Sequence, residues 1–239
     1  MNQIVCLVPA RGGSRGIPKK NLTLCAGKPL LLWTLEQALA ADIGPVIVAT
    51  DDSEIAKVAD GYGVTVYEEP TEVAGDAVSM ETVMRWFLRQ CAERRGHGAE
   101  SKGPDWLFLL QCTSPLRLSH HVRECAAIAK TNAFDSIFSV VKSAHCSWRK
   151  RGTDIMPEWP QGEGLKRLLR QEVDSQFTEN GAIYAVRVRK FQETRFCGNL
   201  CPYEMPDWSR FEVDTPEDLA IVEVIMRTRL QLGADGVRT

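Results

Sequence analysis

The sequence lacks any long apolar run, and this limits the kinds of protein that it can encode. No stretch of its 239 residues approaches the roughly 20 consecutive apolar residues that span a bilayer. Only Met1 to Gln3 precede the first apolar run, 4–9, which is too short for the core of a signal peptide. We therefore expect a cytoplasmic protein with no membrane partner.

The sequence also lacks an excess of charge of either sign. Its 29 Lys and Arg residues nearly balance 31 Asp and Glu residues, which leaves a net charge of −2 and a pI of about 6.1. Proteins that bind the phosphate backbone of nucleic acid usually carry a strongly basic surface. We therefore expect no nucleic-acid partner, and any cationic site must be local.

Patterns typical of zinc sites and disulfide frameworks are missing too. The eight cysteines are scattered, no Cys-x-x-Cys pair occurs, and the four histidines lack the spacing of zinc ligands. A chain of this length does not need disulfides to complete its core. We expect reduced thiols and no structural zinc.

Short strand-like runs alternate with longer helical periods along the chain. The predicted strands are 4–9, 45–50, 64–69, 106–111, 135–141, 181–188 and 210–214. The predicted helices are 29–41, 52–63, 79–96, 119–131 and a last one that begins at Thr215. This alternation indicates a mostly parallel sheet covered on both faces. We predict one α/β domain over residues 1–239, built on an open, doubly wound sheet.

The segment 142–176 interrupts this alternation. It is rich in Lys, Arg, Trp, Pro and Gly and has no clear periodicity. A lid, a dimerisation excursion and a disordered loop all remain open from the residues alone. A segment of this length inside a compact domain is usually functional.

The loop ARGGSRGIPKKN, residues 10–21, directly follows the first predicted strand. It contains neither the Walker A spacing nor a GxGxxG motif. Its flexible backbone can turn N–H groups towards an anion, and Arg11, Arg15, Lys19 and Lys20 add positive charge. The loop therefore indicates a polyphosphate site, with a solvated basic turn as the alternative.

Two carboxylates occur near the end of the chain in the segment FEVDTPEDL. Glu212 and Asp214 are two positions apart on a predicted strand, so their side chains should point to the same face. Thr215 is the predicted N-cap of the last helix, which places Asp214 at the carboxyl end of the strand. Hard carboxylate ligands opposite a phosphate loop predict a Mg²⁺ bound between protein and triphosphate.

Polar side chains also follow two other predicted strands. Gln111 in LLQCTSPLR offers an amide that can both donate and accept towards a base or a sugar. We interpret Thr113 and Ser114 as helix caps, and likewise Asp51 and Asp52 after the second strand. Ligands of open α/β sheets bind at the carboxyl ends of the strands, where all these residues lie.

Taken in order, these motifs resemble one family, the acylneuraminate cytidylyltransferases. ARGGSRGIPKKN resembles the nucleotide-binding signature of that family, LLQCTSPLR resembles its LQPTSPLR, FTENGAIY its ENGAIY and FEVDTPEDL its DIDTPEDL. The resemblance covers residues 3 to 225. It implies a Rossmann-like nucleotidyltransferase fold that transfers CMP from CTP to the anomeric hydroxyl of an acidic nine-carbon (nonulosonic) sugar. It also implies Mg²⁺ as cofactor and a homodimer whose contact is formed by 142–176.

The resemblance also implies roles for individual residues. The implied CTP-binding residues are Arg11, Gly13, Ser14, Lys20, Asn21 and Gln111. The implied sugar-binding residues are Gln111, Arg170 and Tyr184. Asp214 and Glu212 match the metal-binding pair, and Arg170 and Asp214 are the implied catalytic residues.

Two alternatives remain beside this interpretation. One is a cytidylyltransferase for 3-deoxy-octulosonate, although the loop of that sister family lacks the Lys-Asn ending of residues 20–21. The other is a non-catalytic nucleotide-binding relative. The chain departs from its family at Glu69, where many relatives have arginine, and at Val78 and Met80, where relatives often have serine.

Overall fold

The computed structural model describes residues 3–94, 103–143, 148–158 and 176–232. The strands are β1 (Ile4–Pro9), β2 (Leu24–Cys25), β3 (Lys28–Pro29), β4 (Val46–Thr50), β5 (Thr65–Glu68), β6 (Trp106–Leu109), β7 (Ser136–Ser143), β8 (Trp148–Arg151), β9 (Asp154–Pro157), β10 (Gln176–Arg187) and β11 (Leu200–Glu204). The α-helices are α1 (Leu30–Ala41), α2 (Ser53–Asp60), α3 (Thr71–Ala74), α4 (Met80–Arg94), α5 (Ser119–Lys130) and α6 (Pro216–Leu232).

The central sheet has seven strands in the order β11-β7-β10-β6-β1-β4-β5. All neighbouring pairs are parallel except those of β10, which runs antiparallel to both β6 and β7. The carboxyl ends of β1, β4, β5 and β6 therefore lie at one edge of the sheet. The predicted open, mostly parallel α/β fold is confirmed.

The two faces of the sheet are buried under different helices. In β1, Cys6 and Val8 pack in one apolar cluster with residues of α1 and α5, whereas Leu7 packs in another with Met84 and Phe87 of α4. Successive side chains of a strand point to opposite faces, so this division shows that the sheet is covered on both sides. The predicted double winding, with helices on both faces of the sheet, is confirmed.

Six of the seven predicted strands are present, but the predicted strand 210–214 is wrong. The seventh strand of the sheet is instead β11, whose exposure alternates because it is an edge strand. Residues 211–213 form no strand, although Phe211 has extended backbone angles, and Val213 donates its backbone N–H to the carbonyl of Thr113 at 2.7 Å. An extended segment bound to a loop has the same local pattern as a strand, which explains the error.

The segment 142–176 lies partly outside the described residues. Its described part begins with the end of β7 and contains the hairpin of β8 and β9, while β10 starts at Gln176. The single-domain interpretation of 1–239 stays a prediction. Among the described helices, none combines the length and the apolar character needed to cross a membrane.

Candidate active site

A cleft of about 250 Å³ opens at the carboxyl edge of the central sheet. It is formed by the loops that follow β1 and β6 and by the segment after β5, which includes α3 and the start of α4. The residues that line it are Pro9, Arg11, Gly13, Ser14, Lys20, Asn21, Glu69, Val73, Ala74, Gly75, Asp76, Val78, Met80, Val83, Gln111, Cys112 and Thr113. All six residues implied in CTP binding are on this wall.

The loop after β1 is fixed by two close contacts. A Cβ atom at Gly16 would lie 2.0 Å from the carbonyl oxygen of Asp214, so only glycine allows the loop to pass this close to that backbone. Asn21 is buried, and its Nδ2 donates to the carbonyl of Arg11 at 2.9 Å. Asn21 therefore holds the two ends of the loop together, whatever else it binds.

Lys20 and Asp214, 194 positions apart in the chain, meet at this loop. Nζ of Lys20 donates to Oδ1 of Asp214 at 2.8 Å. The Lys20 side chain is 15% exposed, whereas that of Asp214 is 69% exposed. Lys20 is thus held in place beneath the cleft, and Asp214 presents most of its carboxylate to solvent.

Glu212 lies beside this pair and is partly buried. Gly181, which has a φ of 66°, provides the space, because a Cβ there would lie 2.0 Å from Oε2 of Glu212. Burial and the charge of Asp214 raise the pKa of Glu212, and the Thr113 hydroxyl and Lys20 oppose this shift. Although 210–214 is not a strand, the two predicted carboxylates do come together.

This pair of carboxylates fits a magnesium ion that is shared with a phosphate. Among the residues that the structure describes, no group of three or more His, Cys, Asp and Glu side chains is arranged to hold a metal. Mg²⁺ is usually held by one or two carboxylates, with substrate phosphates and waters as its other ligands. Glu212 and Asp214 supply that small oxygen donor set, and a cation between them would relieve their repulsion.

Asp76 faces the loop from the other side of the cleft. Its carboxylate pairs with Arg11 Nη1 at 2.8 Å and with Arg15 Nε at 2.8 Å. The hydrogen bond from Arg15 and the positive charge of Arg11 lower the pKa of Asp76. A carboxylate therefore occupies the donors that the loop would offer to a phosphate.

Glu69 is the most unusual group on the cleft wall. It is 6% exposed, and its Oε1 has no hydrogen-bond partner among the described residues. Burial and then the charge of Asp51 raise the pKa of Glu69 to about 7, while Arg11 acts in the opposite direction. In the sequence, Glu69 stands out only as a departure from the family, because a single position does not reveal whether its side chain is buried.

Replacing Glu69 by Gln should change how stability depends on pH. The pKa of Glu69 is about 7 in the fold and 4.5 as its ordinary value, so the folded protein binds this proton more tightly. The free energy of unfolding should therefore fall as pH rises from 4.5 to 7, by about 1–3 kcal/mol from this group. In urea unfolding, Glu69→Gln should be more stable than the parent at about pH 8, and this gain should be much smaller at about pH 5.

Glu68→Gln is the matched control, because Glu68 is exposed on the neighbouring position. It should give no gain at either pH. Asp51 and Arg11 are the charged groups that act on Glu69, and both remain in the two variants. An equal gain for Glu69→Gln at both pH values would contradict the raised pKa.

A family model described as Cytidylyltransferase matches residues 5–232. The chain belongs to the cytidylyltransferase family. It is 31% identical over 224 residues to N-acylneuraminate cytidylyltransferase A of Danio rerio, covering 92% of this chain and 50% of that protein. It is 26% identical over 221 residues to N-acylneuraminate cytidylyltransferase of Streptococcus agalactiae serotype V, covering 90% and 51%. The chain thus spans about half the length of these curated relatives.

Solved structures of low sequence identity share the fold. CMP:2-keto-3-deoxy-manno-octonic acid synthetase complexed with CTP superposes with a TM-score of 0.65 at 19% identity, covering 94% of this chain and 98% of that one. The 4-diphosphocytidyl-2C-methyl-D-erythritol synthase of Anaerococcus prevotii gives 0.63 at 11% identity, covering 95% and 99%. The cytidylyltransferase fold predicted from the motifs is confirmed.

The predicted sugar-binding residue Tyr184 is not among the lining residues of the cleft, and neither are Glu212 and Asp214. Tyr184 is buried in β10, and its hydroxyl donates to Oε2 of Glu179 at 2.8 Å. The guanidinium of Arg195 lies over its ring, 4.5 Å from the centroid. The sugar-binding role of Tyr184 stays a prediction. Arg170 lies outside the described residues.

The predicted helix caps have mixed outcomes. Asp52 is the N-cap of α2 and accepts from two backbone N–H groups, as predicted. The cap at Asp51 is wrong, because its carboxylate accepts from Gly12 N at 2.8 Å. The caps at Thr113 and Ser114 are wrong as well, since α5 begins only at residue 119 and Ser114 instead donates to the carbonyl of Asn180 at 3.3 Å.

Arg117 positions the loop that contains Gln111, and this role was not predicted from the sequence. It is completely buried, and its Nη1 donates to the carbonyls of Gln111 at 3.3 Å and Ala182 at 2.6 Å. Burial lowers the pKa of Arg117 to about 10. A charged residue after a turn normally indicates a surface position, so only the fold identifies this buried tie between the loop and β10.

Proposed function

We propose that this chain transfers CMP from CTP to the anomeric hydroxyl of a nonulosonic, sialic-type acid and releases pyrophosphate. The observation that carries the proposal is the ion pair between Lys20, which lines the cleft, and Asp214. A phosphate-binding cation and a metal-binding carboxylate are the two charges that nucleotidyl transfer needs side by side. The names of the relatives that match over about nine-tenths of this chain support the same reaction.

In the proposed mechanism the triphosphate lies along the loop 10–21. Arg11 leaves Asp76 and binds a phosphate oxygen, while Lys20 contributes its charge from below. Asp214 and Glu212 would hold Mg²⁺, which neutralises charge on the phosphates when it is bound. Positioning and charge neutralisation then lower the barrier, and no covalent nucleophile on the protein is needed.

The acceptor sugar enters beside the α-phosphate. Its anomeric oxygen attacks the α-phosphorus as the bond to the pyrophosphate oxygen breaks, and the hydroxyl proton is lost to solvent or to a nearby base. Gln111 lies on the cleft wall, where its amide can orient the nucleotide and the sugar. Arg170 is proposed to clamp the sugar carboxylate, because a guanidinium binds a carboxylate with two parallel hydrogen bonds.

The decisive experiment measures pyrophosphate release with CTP, Mg²⁺ and a panel of acidic sugars. Sialic, deaminated sialic, legionaminic and pseudaminic acids are the expected acceptors, and 3-deoxy-octulosonate tests the nearest alternative. Turnover with a nonulosonic acid supports the proposal. Turnover with the octulosonate alone replaces it by the sister reaction, and nucleotide binding without turnover identifies a non-catalytic relative.

Replacing Asp76 by Asn should tighten the binding of CTP. The ion pairs with Arg11 and Arg15 must break before phosphates can use these donors, and such exposed pairs contribute little each, so we expect a gain of about twofold to tenfold. Titration calorimetry measures it. Glu72→Gln removes a negative charge from an exposed site on α3 and should have no comparable effect. Equal gains in both variants would mean that only net charge matters.

We also propose that the chain acts as a homodimer in the cytoplasm. The hairpin of β8 and β9 supports the dimer, because Trp148, Ile155 and Met156 are more than half exposed on it. Exposed apolar groups of this size on a short hairpin are typical of an interaction surface. The cytoplasmic location is proposed from the scattered cysteines of the sequence, which form no disulfide framework of the secreted type.

A further inference from the structure

The cleft has a charged half and an apolar half. Arg11, Ser14 and Lys20 line the charged half. The apolar half is formed by α3, by the start of α4 and by the loop between them, and its lining side chains are Val73, Ala74, Val78, Met80 and Val83. A nucleotide has the same division, because its triphosphate is charged and the faces of its base are apolar. If the triphosphate binds along the loop, the base would lie in the apolar half.

Glu69 lies between β5 and α3 and also lines the cleft. Its Oε1 is buried, and no donor among the described residues reaches it. A buried acceptor without a partner costs free energy, so it is retained only where something compensates for it. The surrounding charged groups do not supply the missing hydrogen bond, since Asp51 repels the carboxylate and Arg11 is already paired with Asp76. Because Glu69 lines the cleft, a ligand bound there can supply a donor to its carboxylate.

We propose that Glu69 selects the base of the nucleotide by accepting a hydrogen bond from the exocyclic amine of cytosine. This inference rests on the proposed function, which places CTP in the cleft. The amine is the only donor that cytosine presents on its paired edge, and a carboxylate is its natural acceptor. Uracil carries an oxygen at the same position, which would repel the carboxylate. Glu69 thus distinguishes CTP from UTP.

The test compares CTP with the analogue that has hydrogen in place of the exocyclic amine, 2-pyrimidinone ribonucleoside triphosphate. Binding is measured by titration calorimetry with Mg²⁺ at about pH 8, where a carboxyl with a pKa near 7 is ionised. The parent protein should bind CTP about tenfold to hundredfold more tightly than the analogue, because a hydrogen bond to a charged group is lost. In Glu69→Met the two affinities should agree within about threefold.

Two further variants control for charge and folding. Glu68→Met makes the same change at the exposed neighbouring position and should keep the full preference for CTP. Glu69→Gln retains an acceptor without the charge and should keep an intermediate preference. Thermal unfolding of Glu69→Gln should show no loss of stability, because the substitution removes a buried charge.

The outcomes separate this inference from the proposed function. If the parent prefers CTP to the analogue and Glu69→Met does not, the inference is supported. If Glu69→Met keeps the preference, or the parent has none, another group reads the base and the inference is wrong while CTP remains the substrate. If the parent binds GTP, ATP or UTP with the same affinity as CTP, both the inference and the proposed function are wrong.

Discussion

Replacing Asp214 by Asn should lower CMP transfer by about a thousandfold while leaving the fold intact. The amide keeps the shape of the side chain, and Asp214 is mostly exposed, so little packing is lost. It does not keep the negative charge that holds a hard cation. The substitution also releases Lys20, whose Nζ loses a charged partner at 2.8 Å. Without Mg²⁺, the variant should therefore bind CTP at least as well as the parent does.

Two measurements separate the loss of metal from a general loss of function. Pyrophosphate release as a function of Mg²⁺ concentration reports turnover, and calorimetry with and without Mg²⁺ reports binding of CTP. Glu217→Gln is the matched control, because Glu217 is an exposed carboxylate in the first turn of α6. It should retain turnover within about threefold. Undiminished Mg²⁺-dependent turnover in Asp214→Asn would remove this residue from the metal site.

Replacing Lys20 by Met should weaken CTP binding by about a hundredfold. The ammonium group of Lys20 is held beneath the cleft at low exposure, and a partly desolvated charge interacts more strongly with phosphate than a solvated one. Methionine fills much of the same space without the charge. The loss should appear in the affinity for CTP and, with saturating CTP, in the rate of transfer.

Lys19 provides the control for this substitution. It is the adjacent lysine, but its side chain is 63% exposed and pairs with Glu54 on α2, away from the cleft. Lys19→Met should change CTP affinity by less than about threefold. Equal losses at both positions would mean that the loop attracts CTP through its net charge. A loss confined to Lys20 would assign the contact to one side chain.

The fold follows from the sequence to a large extent. The strands β1, β4 and β6 are short, almost entirely buried runs, and such runs between amphipathic helices have few other stable arrangements. The family motifs add the nucleotidyltransferase type of fold and the place of the nucleotide loop. The edge strand β11 was missed because a half-exposed strand with a proline at its centre carries a weak pattern.

The sequence by itself determined the α/β class, the family and the six predicted CTP-binding residues that line the cleft, because the ends of parallel strands converge on one edge of the sheet. Only the tertiary structure decided how those residues are paired. Three features depend on distances and burial between segments far apart in the chain. They are the ion pair of Asp76 with Arg11, the ion pair of Asp214 with Lys20 and the unsatisfied oxygen of Glu69. Periodicity reports which face of an element is apolar, whereas the energy of a charge depends on everything that surrounds it.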